Sequence, residues 1–132
     1  MERRFVIQLH TTAGGRHYDL MLQAGKALAT WRLETLPAEL GPGQHVEAIA
    51  LPDHRLAYLD YEGPISRGRG SVRIVETGSY RLEAQEEGCW RFELLGRNFD
   101  GQFILRRLAG ERWSLQRLDA PPAPHEASAD PR

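Results

Sequence analysis

Short apolar runs separated by turn-forming residues recur along most of the chain. Residues 90–94 read WRFEL and alternate strictly between apolar and polar positions, as in a strand with one face in a core and the other in water. This period of two predicts an all-β fold, namely a small closed or partly open antiparallel β-barrel with one or two short helical turns. The predicted strands are residues 4–9, 17–23, 26–33, 44–50, 71–77, 79–84, 89–96, 101–107 and 112–118.

Glycine and proline mark the predicted connections between these strands. Thr77-Gly78 and Asp100-Gly101 are typical of hairpin turns, and Gly110 indicates another turn. Residues 34–43 carry two prolines and two glycines, which predicts a loop with one helical turn. Residues 51–70 are also rich in these residues, and long irregular stretches of this kind in a compact domain are often functional.

The length of 132 residues fits a single domain, which we place at residues 1–118. Residues 119–132 have little apolar content and predict a disordered tail, in which His125 has no role. The apolar runs are far shorter than the ~18 residues of a membrane helix. The first ten residues, MERRFVIQLH, also lack a secretory cleavage pattern, so we expect a cytoplasmic protein.

Cysteine content and charge limit the possible chemistry. Cys89 is the only cysteine, which excludes an intrachain disulfide and a metal site built from several thiolates. A metal site would therefore use histidine and carboxylate ligands. The formal net charge of −1 argues against a protein that coats nucleic acid through its overall charge, so any contact with a polyanion must be local.

Residues 10–19 contain the densest group of metal-binding and proton-transferring side chains. His17 and Asp19 are two residues apart in a predicted strand, so both point to one face. A hairpin through residues 13–15 would bring His10 back beside them. These three side chains are candidate ligands of one ion, although a single histidine is more often simply a packed or surface residue.

Several motifs resemble the 3′-phosphoesterase domain of bacterial DNA ligase D and its stand-alone relatives. The stretches that carry the resemblance are QLH…HYDLML, ATW at 29–31, PDHRLAYLDYEG at 52–63 and GQFILRRL…WSLQRL near the end. The family pattern is approximately QKHxAxxLHYDLRLE at the first site and EDHPLDYADFEG at the second. The resemblance extends over residues 4–118.

This resemblance implies a β-barrel hydrolase, a metal-dependent phosphodiesterase and phosphomonoesterase of DNA repair. Such proteins remove 3′-terminal ribonucleotides and 3′-phosphates from DNA strands. The implied cofactor is a divalent metal, with Mn²⁺ expected and Zn²⁺ as an alternative. The implied partners are nucleic-acid 3′ ends and a ligase or other end-joining protein. We expect no membrane association and a monomer.

The resemblance also assigns roles to individual residues. His10, Asp19 and His54 match the metal ligands, and His17 matches the histidine that contacts the scissile phosphate. Tyr58 matches a tyrosine needed for activity, so His17 and Tyr58 are the expected catalytic residues. Two imidazoles and one carboxylate suit Mn²⁺ or Zn²⁺ and leave coordination positions for water and phosphate oxygens.

Two departures from the family pattern affect its phosphate-binding charges. Met21 and Val46 stand where the family has arginines, and a methionine cannot neutralise a phosphate. The candidates to replace the lost charge are Arg16, Arg67 and Arg69, the last two in a shortened glycine-flanked loop.

The lost arginines leave two alternatives to a 3′-end phosphoesterase. One is a diverged metal enzyme with an apolar pocket and another substrate. The other is a non-catalytic binding module, for which His10, Asp19 and His54 would lie apart.

Overall fold

The computed structural model describes residues 3–119 and is all-β, as predicted. Two short 3₁₀ helices, Pro37–Glu39 and Leu56–Leu59, are the helical turns among these residues. The strands are β1 (Arg3–Thr12), β2 (Gly15–Ala24), β3 (Ala27–Leu33), β4 (His45–Arg55), β5 (Gly63–Pro64), β6 (Ser71–Glu86), β7 (Cys89–Gly96), β8 (Asp100–Ala109) and β9 (Arg112–Arg117).

The strands form one antiparallel sheet that closes on itself. Their order is β1-β2-β3-β4-β9-β8-β7-β6, and β6 pairs again with β1. The short β5 is added at the start of β6, where Gly63 pairs with Val72. The barrel is therefore closed, and the long β6 joins its two ends by pairing with β1 in its first part and with β7 in its second.

Apolar side chains from every strand of the ring fill the barrel interior. Trp31 is central, with the rings of Trp90 and Trp113 each 5.4 Å from its own ring in edge-to-face contact. Tyr18 packs against the same core, on the face opposite His17 and Asp19. The buried members of this core are Phe5, Ile7, Leu20, Leu22, Trp31, Leu33, Leu40, Ala48, Tyr80, Trp90, Phe92, Leu94, Phe103, Leu105 and Leu115.

A second, smaller apolar cluster lies on the outer face of the barrel wall. Val6, Met21 and Leu28, from β1, β2 and β3, are fully buried there against Leu59 of the 56–59 helix. Their neighbours in sequence point inward, as strand alternation requires. The helical segment thus covers the outside of the wall and gives it a second layer beside the residues predicted to be functional.

An ion pair fastens this outer layer to the first strand. Nη2 of Arg4 lies 2.8 Å from Oδ1 of Asp60, and Nη1 donates to Oδ2 at 3.4 Å. The Arg4 guanidinium lowers the pKa of the Asp60 carboxyl below its ordinary value. Because Asp60 directly follows the 56–59 helix, this pair helps to fix where His54 and Tyr58 lie relative to β1.

Two glycine-containing turns predicted from sequence are wrong. Gly78 lies inside β6, where a Cβ would overlap the carbonyl oxygen of Leu95 on β7. Gly101 lies inside β8, where a Cβ would come 2.8 Å from Nη2 of the buried Arg117. Both glycines provide close approach rather than a turn. The turn predicted at Gly110 is confirmed, with a φ of 57°.

The predicted C-terminal tail lies outside the described residues, apart from Asp119. The Asp119 carboxylate accepts hydrogen bonds from the backbone N–H of Gln102 and from Arg117, at 3.0 and 3.4 Å, so the described chain ends bound to the barrel. His125 is not among the described residues. Between residues 3 and 119 there is no helix with the length and apolarity required to cross a membrane.

Candidate functional site

The β1–β2 hairpin places the candidate ligands side by side, as its predicted geometry requires. His10 is paired directly with His17 across the hairpin, and Gln8 is paired with Asp19. All four occupy alternate positions that face outward from the barrel, in line with Val6 and Met21 of the outer apolar cluster. The site therefore lies on the outer wall beneath the segment that follows β4.

His10, His17 and Asp19 form a compact group with one ligand atom from each residue within 4.8 Å of the others. Oδ1 of Asp19 is 3.2 Å from Nε2 of His17, and Oδ2 is 3.7 Å from Nδ1 of His10. The two imidazole rings meet edge to face with centroids 4.8 Å apart. The arrangement directs two nitrogens and a carboxylate toward a common space.

A backbone contact selects the tautomer of His10. Its Nε2 lies 2.7 Å from the carbonyl oxygen of Arg69, which can only accept a hydrogen bond. Nε2 therefore carries the proton, and in the neutral ring Nδ1 has a free lone pair on the side of Asp19. Orientation of a ligand histidine by a backbone carbonyl is usual in metal sites.

Asp19 is buried without full hydrogen bonding. Its side chain is 4% exposed, and Oδ1 has no hydrogen-bond donor, because His17 is close but not aligned with it. Burial raises the pKa of the Asp19 carboxyl, an effect that the nearby charges of His17 and His10 only partly offset. Burial likewise lowers the pKa of the His17 imidazole, despite the attraction of Asp19. A buried carboxylate oxygen without a donor is suited to bind a water molecule or a cation.

Gln8 is a site residue that sequence reasoning missed. Its side chain is fully buried, and its Nε2 donates to the carbonyls of Tyr58 and Tyr61, both at 2.9 Å. These bonds fix the amide, and its Oε1 is left buried without a donor. The signal available in the sequence was its position two residues before His10, on the same face of the strand.

His54 and Tyr58 line a cavity together with His10 and Asp19 of the compact group, whereas His17 is not among its lining residues. The cavity has a volume of about 100 Å³ and is lined by Gln8, His10, Asp19, His54, Tyr58, Ile65, Arg69 and Val72. Nδ1 of His54 lies 3.0 Å from the carbonyl oxygen of Pro52, which leaves Nε2 free, and its ring is 5.4 Å from that of Tyr58. The compact group thus contains His17 and not His54, whereas the cavity is lined by His54 and not His17. The ligand role of His54 and the phosphate-contacting role of His17 stay predictions.

Met21 does not line this cavity. Its side chain is fully buried in the outer apolar cluster, covered by Leu59. The loss of an arginine at this position therefore produces a packed apolar contact, and the apolar pocket expected from sequence is absent from this part of the described structure.

The three arginines proposed to replace the lost charge are placed differently. Arg16 alternates with His17 along β2, so it belongs to the opposite face. Arg67 is exposed in the loop with a φ of 64°. Arg69 borders the cavity, but its guanidinium donates to the carbonyl and hydroxyl oxygens of Ser66, at 3.0 and 3.1 Å. A fourth arginine, Arg32 of β3, is paired directly with Asp19 and faces outward beside it.

A larger cleft adjoins the cavity. Its volume is about 250 Å³, and it shares Tyr58 and Ile65 with the cavity. The rings of Tyr58 and Tyr61 lie 5.6 Å apart in edge-to-face contact along it, and Arg55 contributes a positive charge. The remaining lining residues are Ala57, Pro64 and Ser66. Aromatic rings beside a cation are a suitable surface for a nucleobase.

Comparison with known proteins gives consistent matches. The model of the family described as the DNA ligase D 3′-phosphoesterase domain matches residues 8–107. The chain is 32% identical over 123 residues to the multifunctional non-homologous end joining DNA repair protein LigD of Mycobacterium tuberculosis, covering 86% of this chain and 16% of that protein. It is 29% identical over 139 residues to the multifunctional non-homologous end joining protein LigD of Pseudomonas aeruginosa, covering 88% of this chain and 16% of that protein. The chain thus spans about a sixth of the length of these curated relatives.

Proposed function

The chain belongs to the DNA ligase D 3′-phosphoesterase domain family, and we propose that it is a metal-dependent phosphoesterase that processes DNA 3′ ends in end-joining repair. In this proposal it removes 3′-terminal ribonucleotides and 3′-phosphates. The observation that carries it is the convergence of His10, His17 and Asp19 within 4.8 Å of one another, inside the segment that the family model matches.

The residues present fit a divalent metal. Two imidazole nitrogens and one carboxylate oxygen are ligands suited to Mn²⁺ or Zn²⁺. The buried Oδ1 of Asp19 has no hydrogen-bond donor, and a cation would satisfy it instead. In this proposal His10, His17 and Asp19 would hold the ion, so that His17 and His54 exchange the roles that the resemblance implies for them. When bound, the ion would polarise a phosphoryl oxygen and acidify a water molecule.

The neighbouring side chains supply hydrogen bonds and a proton. Because Nδ1 of His54 is held by the Pro52 carbonyl, its Nε2 is the atom available to a substrate oxygen. In the protonated form Nε2 would donate to the phosphate and pass a proton to the leaving oxygen. The Tyr58 hydroxyl, beside the same ring, would donate a second hydrogen bond. The free Oε1 of Gln8 would accept from a water or a substrate hydroxyl.

The cleft beside the cavity supports a nucleic-acid substrate. In our proposal the terminal nucleoside lies between Tyr58 and Arg55 while its 3′-phosphate reaches the cavity that Tyr58 also borders. The contact is local, as the net charge of −1 requires. We further propose that a ligase or another end-joining protein seals the ends that this protein processes.

The non-catalytic alternative receives no support from the geometry. It predicted that His10, Asp19 and His54 lie apart, whereas the three line one cavity. A diverged enzyme with another phosphoester substrate uses the same residues, so only substrate specificity separates it from the proposed function.

Primer-templates ending in a 3′-phosphate or in a single 3′-ribonucleotide test the proposal. With Mn²⁺ the wild-type chain should process both, and chelation with EDTA or substitution of His10 by alanine should abolish the reaction. Ala57→Trp fills the cleft without removing a polar group. It should lower kcat/KM for these substrates and leave cleavage of p-nitrophenyl phosphate, which has no nucleobase, unchanged.

Two results would contradict the proposal. Wild-type protein that leaves both DNA ends intact, while a ligase D domain processes them under the same conditions, would exclude the activity. Equal loss of both kinds of substrate in Ala57→Trp would exclude the cleft as the nucleoside site.

A further inference from the structure

We propose that Arg32 forms an anion site beside the metal-binding group of His10, His17 and Asp19, where it binds the phosphate of the substrate. The inference deepens the proposed function and rests on it. Arg32 lies directly opposite Asp19 in the β2–β3 register, on the same outward face. Directly opposed side chains in an antiparallel pair have Cβ atoms about 5 Å apart, which an arginine side chain easily spans.

The charge of Arg32 already acts on the group. It is among the charges that lower the pKa of both His17 and Asp19, after the dominant effect of burial in each case. The β2–β3 register, which places Arg32 directly opposite Asp19, accounts for this effect. A phosphate bound next to these residues would lie within the same field.

The other arginines around the site either bind other protein groups or lie on a different surface. Arg69 donates to Ser66, and Arg4 is paired with Asp60. Arg55 lines the neighbouring cleft, in which we place the nucleoside, and Arg16 belongs to the opposite face of β2. Among these arginines, Arg32 is thus the best placed to offset the charge of a phosphate at the metal-binding group.

The present partner of Arg32 is easily replaced. Its Nε lies 3.5 Å from Oε2 of Glu34, with side chains 48% and 66% exposed. Such exposed pairs contribute little to stability, whereas a guanidinium binds phosphate through two parallel hydrogen bonds. Arg32 can therefore exchange Glu34 for phosphate. Glu34 also acts on His17 with a negative charge, so it opposes the approach of an anion.

Titration of inorganic phosphate into the Mn²⁺-loaded chain, followed by calorimetry, tests the assignment. Arg32→Ala should weaken phosphate binding about tenfold, and Arg32→Lys should restore only part of it, because lysine lacks the planar pair of donors. Glu34→Gln should strengthen binding by releasing Arg32. Arg81→Ala is the matched control, since Arg81 forms a similar exposed pair with Glu93 on other strands and should have no effect.

Parallel measurements separate this inference from the proposed function. Mn²⁺ binding, measured by electron paramagnetic resonance, should persist in all four variants; it should tighten slightly in Arg32→Ala, which removes a nearby positive charge, and stay unchanged in Arg81→Ala. KM for a 3′-phosphate DNA end should rise in Arg32→Ala more than kcat falls. Unchanged phosphate affinity and unchanged KM in Arg32→Ala would overturn the assignment even if the wild type processes DNA ends. Conversely, if the wild type leaves DNA ends intact while Arg32→Ala loses phosphate binding, that pair of results would contradict the proposed function and support the anion site.

Discussion

Gly70 controls how closely the 65–70 loop approaches the group formed by His10, His17 and Asp19. Its φ is 91°, and a Cβ at this position would overlap the carbonyl oxygen of Thr11 on β1. The preceding residue, Arg69, provides the carbonyl that orients His10. Gly70→Ala should therefore both destabilise the fold and disturb the orientation of the His10 ring. Gly68→Ala is the matched control, because Gly68 has a φ of 67° but open space around its Cα.

The expected magnitudes follow from these contacts. Alanine at a positive φ costs about 1–2 kcal/mol, and the loss of unfolded-state freedom returns about 0.4–1 kcal/mol, so Gly68→Ala should lower the free energy of unfolding by about 1 kcal/mol. Gly70→Ala must also move the loop away from β1. That movement disrupts the Ile65 N–H to Gly70 carbonyl bond and the His10 to Arg69 carbonyl bond, both 2.7 Å long. At about 1 kcal/mol each, the total is roughly 3 kcal/mol.

Urea unfolding and Mn²⁺ titration of both variants measure these effects. Gly70→Ala should be about 2 kcal/mol less stable than Gly68→Ala. It should also bind Mn²⁺ at least about tenfold more weakly, as expected when the residue that orients a ligand is displaced. Equal stabilities of the two variants would refute the steric argument. Equal Mn²⁺ affinities would refute the role of the Arg69 carbonyl.

Two further substitutions test the balance between stability and function in the site. Burial raises the pKa of Asp19, so its contribution to stability is complete below the unfolded-state pKa and is lost as pH rises through the folded-state pKa. Asp19→Asn should therefore make the metal-free protein about 1 kcal/mol more stable than wild type near pH 7, measured by urea unfolding, with no gain below about pH 3. The same substitution should abolish Mn²⁺ binding. Met21→Arg should lower the free energy of unfolding by roughly 3 kcal/mol, because it buries a charge under Leu59. Adding Leu59→Ala should recover part of this loss. A Met21→Arg variant as stable as wild type would contradict the packing argument.

The strand pattern of this barrel could be predicted because burial follows a period of two along each strand. What failed was the interpretation of isolated glycines. Gly78 and Gly101 follow a threonine and an aspartate, as turn glycines often do, but here they make room for the backbone of β7 and for Arg117. Whether a glycine serves a turn or a close approach depends on the strand beside it, which local sequence does not contain.

In the site, too, only the residues placed by local sequence could be predicted, and those placed by distant contacts could not. His10, His17 and Asp19 could be brought together from the sequence because one hairpin fixes their register. Gln8 escaped notice because its importance comes from carbonyls about fifty residues away in sequence, on the segment that covers the wall. Arg32 was overlooked because its place beside Asp19 depends on the register of β2 with β3.

These non-local contacts explain how the chain can lose the family arginine at position 21 and keep a cationic site. Where the family pattern EDHPLDYADFEG has alanine, this chain has Leu59, and the larger side chain fills the space over Met21. A charge at position 21 would now be buried, whereas Arg32, on the next strand, is exposed beside the same carboxylate. The substitution at 21 and the leucine at 59 therefore form one packing unit. In our proposal the positive charge that a phosphate needs therefore comes from β3 instead of β2.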